Sequence, residues 1–139
     1  IQLTLSQKVP VAGAVIVTTP QDIALMDARK GIEMFSKVDI PVLGIIENMS
    51  MHRCPECGQI SHLFGEGGGA HVAMDLGVPL LVELPLDMSI REQADGGEPT
   101  VRAEPDSEIS AMYRRAARHM TARLWLGEQA APTISMKDD

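Results

Sequence analysis

Three short apolar runs recur along the chain, with room for a helix between each pair. Residues 13–19, GAVIVTT, are β-branched and nearly all apolar, which predicts a strand buried on both faces, as in a parallel sheet. PVLGII at 41–46 repeats that signal, and PLLVEL at 79–84 gives a third strand ended by Pro85. Between the first two runs, Leu25, Ala28, Ile32 and Phe35 recur at helical spacing, with Thr19 placed to cap and Pro20 suited to the first helical position. GGAHVAMDL at 68–76 reads as a second helix, closed by Gly77. Residues 91–106 are polar and turn-rich and predict a surface loop. A last helix then starts from the cap Ser107, with Ile109, Met112, Tyr113, Ala116, Ala117, Met120 and Leu124 on one stripe. Arg114, Arg115, Arg118 and Arg123 fall largely off that stripe, as a solvated face does. Strands alternating with helices predict an α/β fold with a parallel sheet and right-handed crossovers.

The opening IQLTLSQ alternates apolar and polar residues as a strand would. It begins at Ile1 without a methionine and runs straight into the first strand, so the sequence is expected to be a fragment. From Gly127 to Asp139 no periodicity remains, which predicts a flexible tail after a domain spanning 1–126.

Charge narrows the partners. The formal net charge of -7 gives phosphate backbones and anionic lipid no electrostatic attraction, so nucleic acid is not an expected partner. No apolar run approaches the roughly 18 to 20 residues a membrane span needs, and no basic-then-apolar leader opens the chain. The reading is of a cytoplasmic protein that uses no membrane.

In an open parallel sheet, ligands bind beyond the carboxyl ends of the strands. The three runs end in TTPQD, ENMS and LPLD, so Thr19, Asn48 and Asp87 gather at one edge, either bordering a ligand or serving only as cap and turn formers. No G-x-x-x-x-G-K-S/T occurs, so this stretch supplies neither the phosphate cradle nor the lysine of a self-contained ATPase. GEGGGA at 65–70 mimics a dinucleotide fingerprint, but SHLF before it is no strand, and a flexible loop leading into a helix is the better reading.

Both cysteines of the chain lie in CPECG, at Cys54 and Cys57. A disulfide closing so short a loop would remove little unfolded-state entropy, which turns attention to metal or redox chemistry. Thiolates at i and i+3 can face one metal when the intervening residues turn tightly, as Pro55 and Gly58 favour. A redox pair of the thioredoxin kind sits at a helix N-terminus, and Gly58 argues against a helix there. Two metal readings stay open. Cys54 and Cys57 with His52 and His62 could close a Cys2His2 zinc site, making the chain a zinc-stabilised structural or interaction module. Alternatively, two chains could each give two thiolates to one iron–sulfur cluster. Spacing alone does not decide between them.

Taken together, TTPQDIALMDARKGIEMF, IPVLGIIENMS, CPECG, HLFGEGGG and LPLDMSIREQADGGEPTV resemble the carboxyl-terminal half of Mrp/ApbC-type iron–sulfur cluster carriers, deviant-Walker P-loop NTPases related to MinD. The likeness runs in order from residue 1 to about 126. It implies a partial Rossmann-like P-loop fold, a parallel sheet with flanking helices that lacks the amino-terminal Walker A half. It also implies a homodimer that binds ATP and Mg, bridges a labile 4Fe-4S cluster between two subunits, and passes it to apo iron–sulfur target proteins. Carried over by position, Cys54 and Cys57 are the cluster ligands, while Asn48, Pro85, Leu86 and Asp87 border the nucleotide base. The Walker A loop and switch segment of the family would precede Ile1. ATP hydrolysis is thus an expectation for the longer family protein and not for this stretch, whose sheet would show an uncovered apolar edge beside GAVIVTT. The resemblance also makes IQLTLSQ helical, with Ile1 and Leu5 on one face.

Overall fold

The computed structural model describes residues 2–129. A three-stranded parallel sheet, in the order β1-β2-β5, is built from β1 (Ala14–Thr18), β2 (Val42–Glu47) and β5 (Leu80–Glu83). Helices α2 (Asp22–Lys37) and α3 (Gly68–Leu76) lie on one face and α6 (Glu108–Gln129) on the other. The side-chain alternation of β2 explains this layering. Ile45, fully buried, packs with Ile32 of α2 and with Val72 and Ala73 of α3, whereas Ile46 turns to Val82, Leu84, Met112, Tyr113 and Ala116 on the α6 side.

The two-sided burial expected of the first strand, and repeated in the second, holds for β2 and fails for β1. Val17 of β1 is 63% exposed. Its neighbour Ile16 faces α2 and α3, but Val15 and Val17 point to the opposite face, where α6 packs on β2 and β5. Among the described residues β1 is an edge strand paired only with β2, which leaves the uncovered apolar edge that the resemblance implies. The opening segment is helical, α1 (Gln2–Lys8), and not the strand its alternation suggests. Ile1, placed on a common face with Leu5 by the resemblance, lies outside the described residues.

Helix α2 starts later than its sequence signals suggest. Gln21 is its N-cap, and Pro20 sits in the preceding bend; Thr19 does not cap, because its hydroxyl donates to Gln21 Oε1 (3.0 Å). Asp22 in the first turn and Lys37 in the last suit the helix dipole. Helix α3 ends as expected, at Gly77 in the left-handed region with φ 65°. The largest difference lies in 91–106, expected to be a loop. It holds most of α4 (Met88–Asp95) and all of α5 (Thr100–Ala103). Asp87 caps α4 by accepting from the backbone N–H of Ser89 (2.8 Å) and from its hydroxyl (2.6 Å), and the Gly96–Gly97 pair stops it. Ser107 caps α6 as expected, accepting from Ser110 N–H (3.1 Å), and the buried Ser110 hydroxyl lies within hydrogen-bond reach of the Thr100 and Glu104 carbonyls. Helix α6 continues past the expected boundary at 126 to Gln129; the rest of the 127–139 segment lies outside the described residues. No described helix is long and apolar enough to cross a membrane.

Candidate functional site

The carboxyl ends of β1, β2 and β5 converge, and the segments leaving them are laced together by backbone bonds. Asn48 N–H donates to the Thr18 carbonyl (2.7 Å), Ser50 N–H to Leu84 (2.9 Å), and Leu86 N–H to Met51 (2.7 Å). Asn48 follows β2, and Pro85, Leu86 and Asp87 follow β5, so the expected base-side residues do meet at one strand edge. Their polar groups are partly spent on the fold. Asn48 Oδ1 accepts from Met49 N–H (2.9 Å), which holds Met49 in the left-handed region at φ 59°. Oδ1 of the Asp87 carboxylate is occupied by the α4 cap. Asn48 also lines a cleft of about 420 Å³ together with Thr18, Thr19 and Asp27.

Between β2 and α3 the chain makes the excursion that carries the cysteines. It contains a small antiparallel hairpin, β3 (His52–Arg53) with β4 (Ile60–Ser61), which the sequence did not announce. CPECG forms its tip. Gly58 N–H donates to the Cys54 carbonyl (2.9 Å) and Cys54 N–H to the Gln59 carbonyl (2.9 Å), while Gly58 takes φ 73°, a conformation glycine adopts without a Cβ penalty. This tight turn puts both thiols, free of any disulfide, at the apex, with Cys57 exposed and Cys54 half-buried. The backbone N–H of Cys57, then that of Glu56, and then the Cys57 thiol all favour negative charge on Cys54, and they outweigh a small opposing desolvation. The Cys54 thiol is therefore held below its ordinary pKa. Successive amides aimed at one sulfur make an anion nest suited to a metal-binding thiolate.

The two histidines of the zinc reading do not join this apex. His52 Nδ1 bonds to the Leu86 carbonyl (3.1 Å) and His62 Nδ1 to the Ser50 carbonyl (3.0 Å), so each ring braces the base of the hairpin. Among the described residues no three or more His, Cys, Asp or Glu side chains gather to hold a metal ion. Among the described residues Cys54 and Cys57 thus stand as a pair, with His52 and His62 turned to backbone carbonyls. The His52–Leu86 bond also ties the base-side segment to the cysteine excursion, linking two sets of residues that the sequence named separately.

Sequence reasoning missed Glu47, the last residue of β2, which is 1% exposed. Its Oε2 accepts from Gly69 N–H at the start of α3 and its Oε1 from the Ser50 hydroxyl (2.8 Å). The one signal was an acidic residue closing an apolar strand. The glycine run before α3, expected to be a loop leading into a helix, has that form, with Gly67 as the N-cap at φ 72°. Its lack of side chains serves a close approach, since a Cβ on Gly69 would stand 2.6 Å from Glu47 Oε2.

Residues 1–121 match the family described as ParA, NUBPL iron-transfer P-loop NTPase. An iron–sulfur cluster carrier protein of Pseudomonas fragi is 64% identical over 117 residues, covering 84% of this chain and 41% of the relative. The carrier protein of Escherichia coli K12 is 53% identical over 138 residues, covering 99% and 37%. The iron–sulfur cluster transfer protein NUBPL of Mus musculus is 48% identical over 124 residues, covering 89% and 39%. Among solved structures, the cell division ATPase MinD of Pyrococcus furiosus superposes with a TM-score of 0.62 at 25% identity, over 80% of this chain and 43% of MinD. A nucleotide-binding protein of Archaeoglobus fulgidus, in complex with ADP, gives 0.58 at 35% identity, over 70% and 39%. The chain spans about two fifths of the length of the curated relatives it matches.

Proposed function

Because this chain belongs to the NUBPL-type iron-transfer P-loop NTPase family, we propose that it is the cluster-bearing part of an iron–sulfur carrier acting in the cytoplasm. Cys54 and Cys57 provide two thiolates, and the same pair from a second chain completes the four that a 4Fe-4S cargo takes. The observation that carries this reading is the apex itself, two free thiols in a nest of amides with no third ligand gathered beside them among the described residues. Exposure of Cys57 suits delivery. Release is a ligand exchange, in which each iron–cysteine bond that breaks is replaced by a bond to a thiolate of the apo acceptor.

In the longer protein, Asn48, Pro85, Leu86 and Asp87 border the base of an ATP whose phosphates and Mg are held by a Walker A loop supplied elsewhere. A nucleotide in the longer protein is supported by the Archaeoglobus fulgidus nucleotide-binding protein, which is in complex with ADP. Asn48 would turn its Nδ2 amide to the base, since its Oδ1 accepts from Met49. Carriage is tested by loading the full-length protein anaerobically with iron and sulfide, removing free iron, and adding an apo iron–sulfur acceptor with an iron chelator present. The acceptor should gain its cluster despite the chelator. Acceptor maturation that the chelator abolishes would contradict direct transfer.

A further inference from the structure

The excursion carrying the cysteines leaves the core at Ser50 and re-enters it at Gly69, and one buried side chain holds both points. Glu47 Oε1 accepts from the Ser50 hydroxyl (2.8 Å), which also reaches the Glu47 carbonyl (3.1 Å), and Glu47 Oε2 accepts from Gly69 N–H. The same carbonyl accepts from Leu84 N–H (2.8 Å) at the end of β5. We infer that Glu47 is a positioning residue for the thiol hairpin, a buried clasp that fixes both feet of the excursion and so sets where Cys54 and Cys57 stand.

The chemistry favours this role over simple core filling. Hydrogen bonds from a hydroxyl and an amide to a carboxylate are charge-assisted, and out of water they are both stronger and more directional. Gly69 is the second residue of α3, so its N–H has no helical carbonyl to bond and the positive end of the helix dipole favours an acceptor there. Clasping matters for a two-thiol site. A half-shell on a loose loop must be ordered when the cluster assembles, whereas a clasped one is already in place. Glu47 also adjoins Asn48, so movement of the base-side segment reaches the feet of the hairpin through one residue. That functional consequence rests on the cluster reading; the clasp itself does not.

The test uses the full-length protein without cluster. Arg53, exposed in β3, is a trypsin site one bond before Cys54, and Lys30, exposed in α2, reports opening of the rest of the fold. Glu47→Ala orphans the Gly69 amide and leaves the Ser50 hydroxyl only the residue-47 carbonyl, so cleavage after Arg53 should accelerate by about tenfold or more, with cleavage after Lys30 changed less than about twofold. Glu47→Gln can still accept from Gly69 through Oε1 and donate to the Ser50 oxygen through Nε2. It should keep both rates within about twofold of the parent. Iron uptake on reconstitution should fall in Glu47→Ala and persist in Glu47→Gln. Unchanged cleavage after Arg53 in Glu47→Ala, a rise that cleavage after Lys30 matches, or failure of Glu47→Gln to rescue would each overturn the clasp. If the cleavage pattern holds while the parent takes up no iron, the cluster reading fails and the clasp stands.

Discussion

Replacing either apex thiol, as Cys54→Ser or Cys57→Ser, should reduce iron retained after anaerobic reconstitution and desalting to a tenth or less of the parent value. The reason lies in the count of ligands. On the proposed assignment each chain brings two sulfurs to a shell of four, and among the described residues no group of three or more His, Cys, Asp or Glu is gathered to hold a metal ion. One substitution therefore removes half of a chain's contribution, and by symmetry half of the whole shell. Serine keeps the turn, because CPECG is closed by the Gly58 to Cys54 and Cys54 to Gln59 backbone bonds, which do not involve sulfur. Circular dichroism and thermal stability should be unchanged, separating ligand loss from unfolding. The pH dependence has a definite sign. Because the amides of Cys57 and Glu56 hold the Cys54 thiol below its ordinary pKa, alkylation of Cys54 by iodoacetamide should persist as pH falls through the range where an unperturbed thiol protonates, and decline only at lower pH. Iron uptake undiminished in both serine variants would contradict the ligand assignment.

Gly44→Ala should be among the most destabilising single methyl additions in the chain, costing about 3 kcal/mol or more in urea unfolding. Gly44 lies in β2 between the other two strands, where a Cβ would stand 2.5 Å from Leu81 Cγ and 2.7 Å from the Pro79 carbonyl oxygen. Neither neighbour can yield easily. Leu81 is buried, and the Pro79 carbonyl accepts from Ile45 N–H (2.8 Å) in the β2–β5 pairing. Gly77→Ala makes the contrast. A Cβ there meets nothing within 4 Å, so only the left-handed φ of 65° is penalised, at about 1 kcal/mol. If the two alanine variants proved equally stable, the close approach of β2 and β5 would be wrong.

Much of this was legible in the sequence, for identifiable reasons. The three strands and the helices α2, α3 and α6 announce themselves because burial imposes period and composition: β2 is buried on both faces, so PVLGII has no polar position to spare. The opening segment shows the limit of pattern, since seven alternating residues fit a strand and α1 is a helix. Helix α4 was obscured because none of its residues is fully buried, leaving no apolar stripe to read; its signal was the Asp87 cap and the Gly96 stop. At the site, Cys54 and Cys57 were plain from composition. The clasp was not, because an acidic residue at a strand end reads as a turn former until the fold brings Gly69 against it. The roles of His52 and His62 likewise depend on Leu86 and Ser50 carbonyls that no spacing rule pairs with them.

The central claim, a metal centre built only where two copies meet, is tested most directly by weighing the reconstituted full-length protein in its native state and counting its iron. The account predicts that iron travels with a species of twice the chain mass, at about four irons per two chains, and that stripping the iron shifts mass toward the single chain or leaves an iron-free dimer. A single chain carrying about four irons on its own would contradict it.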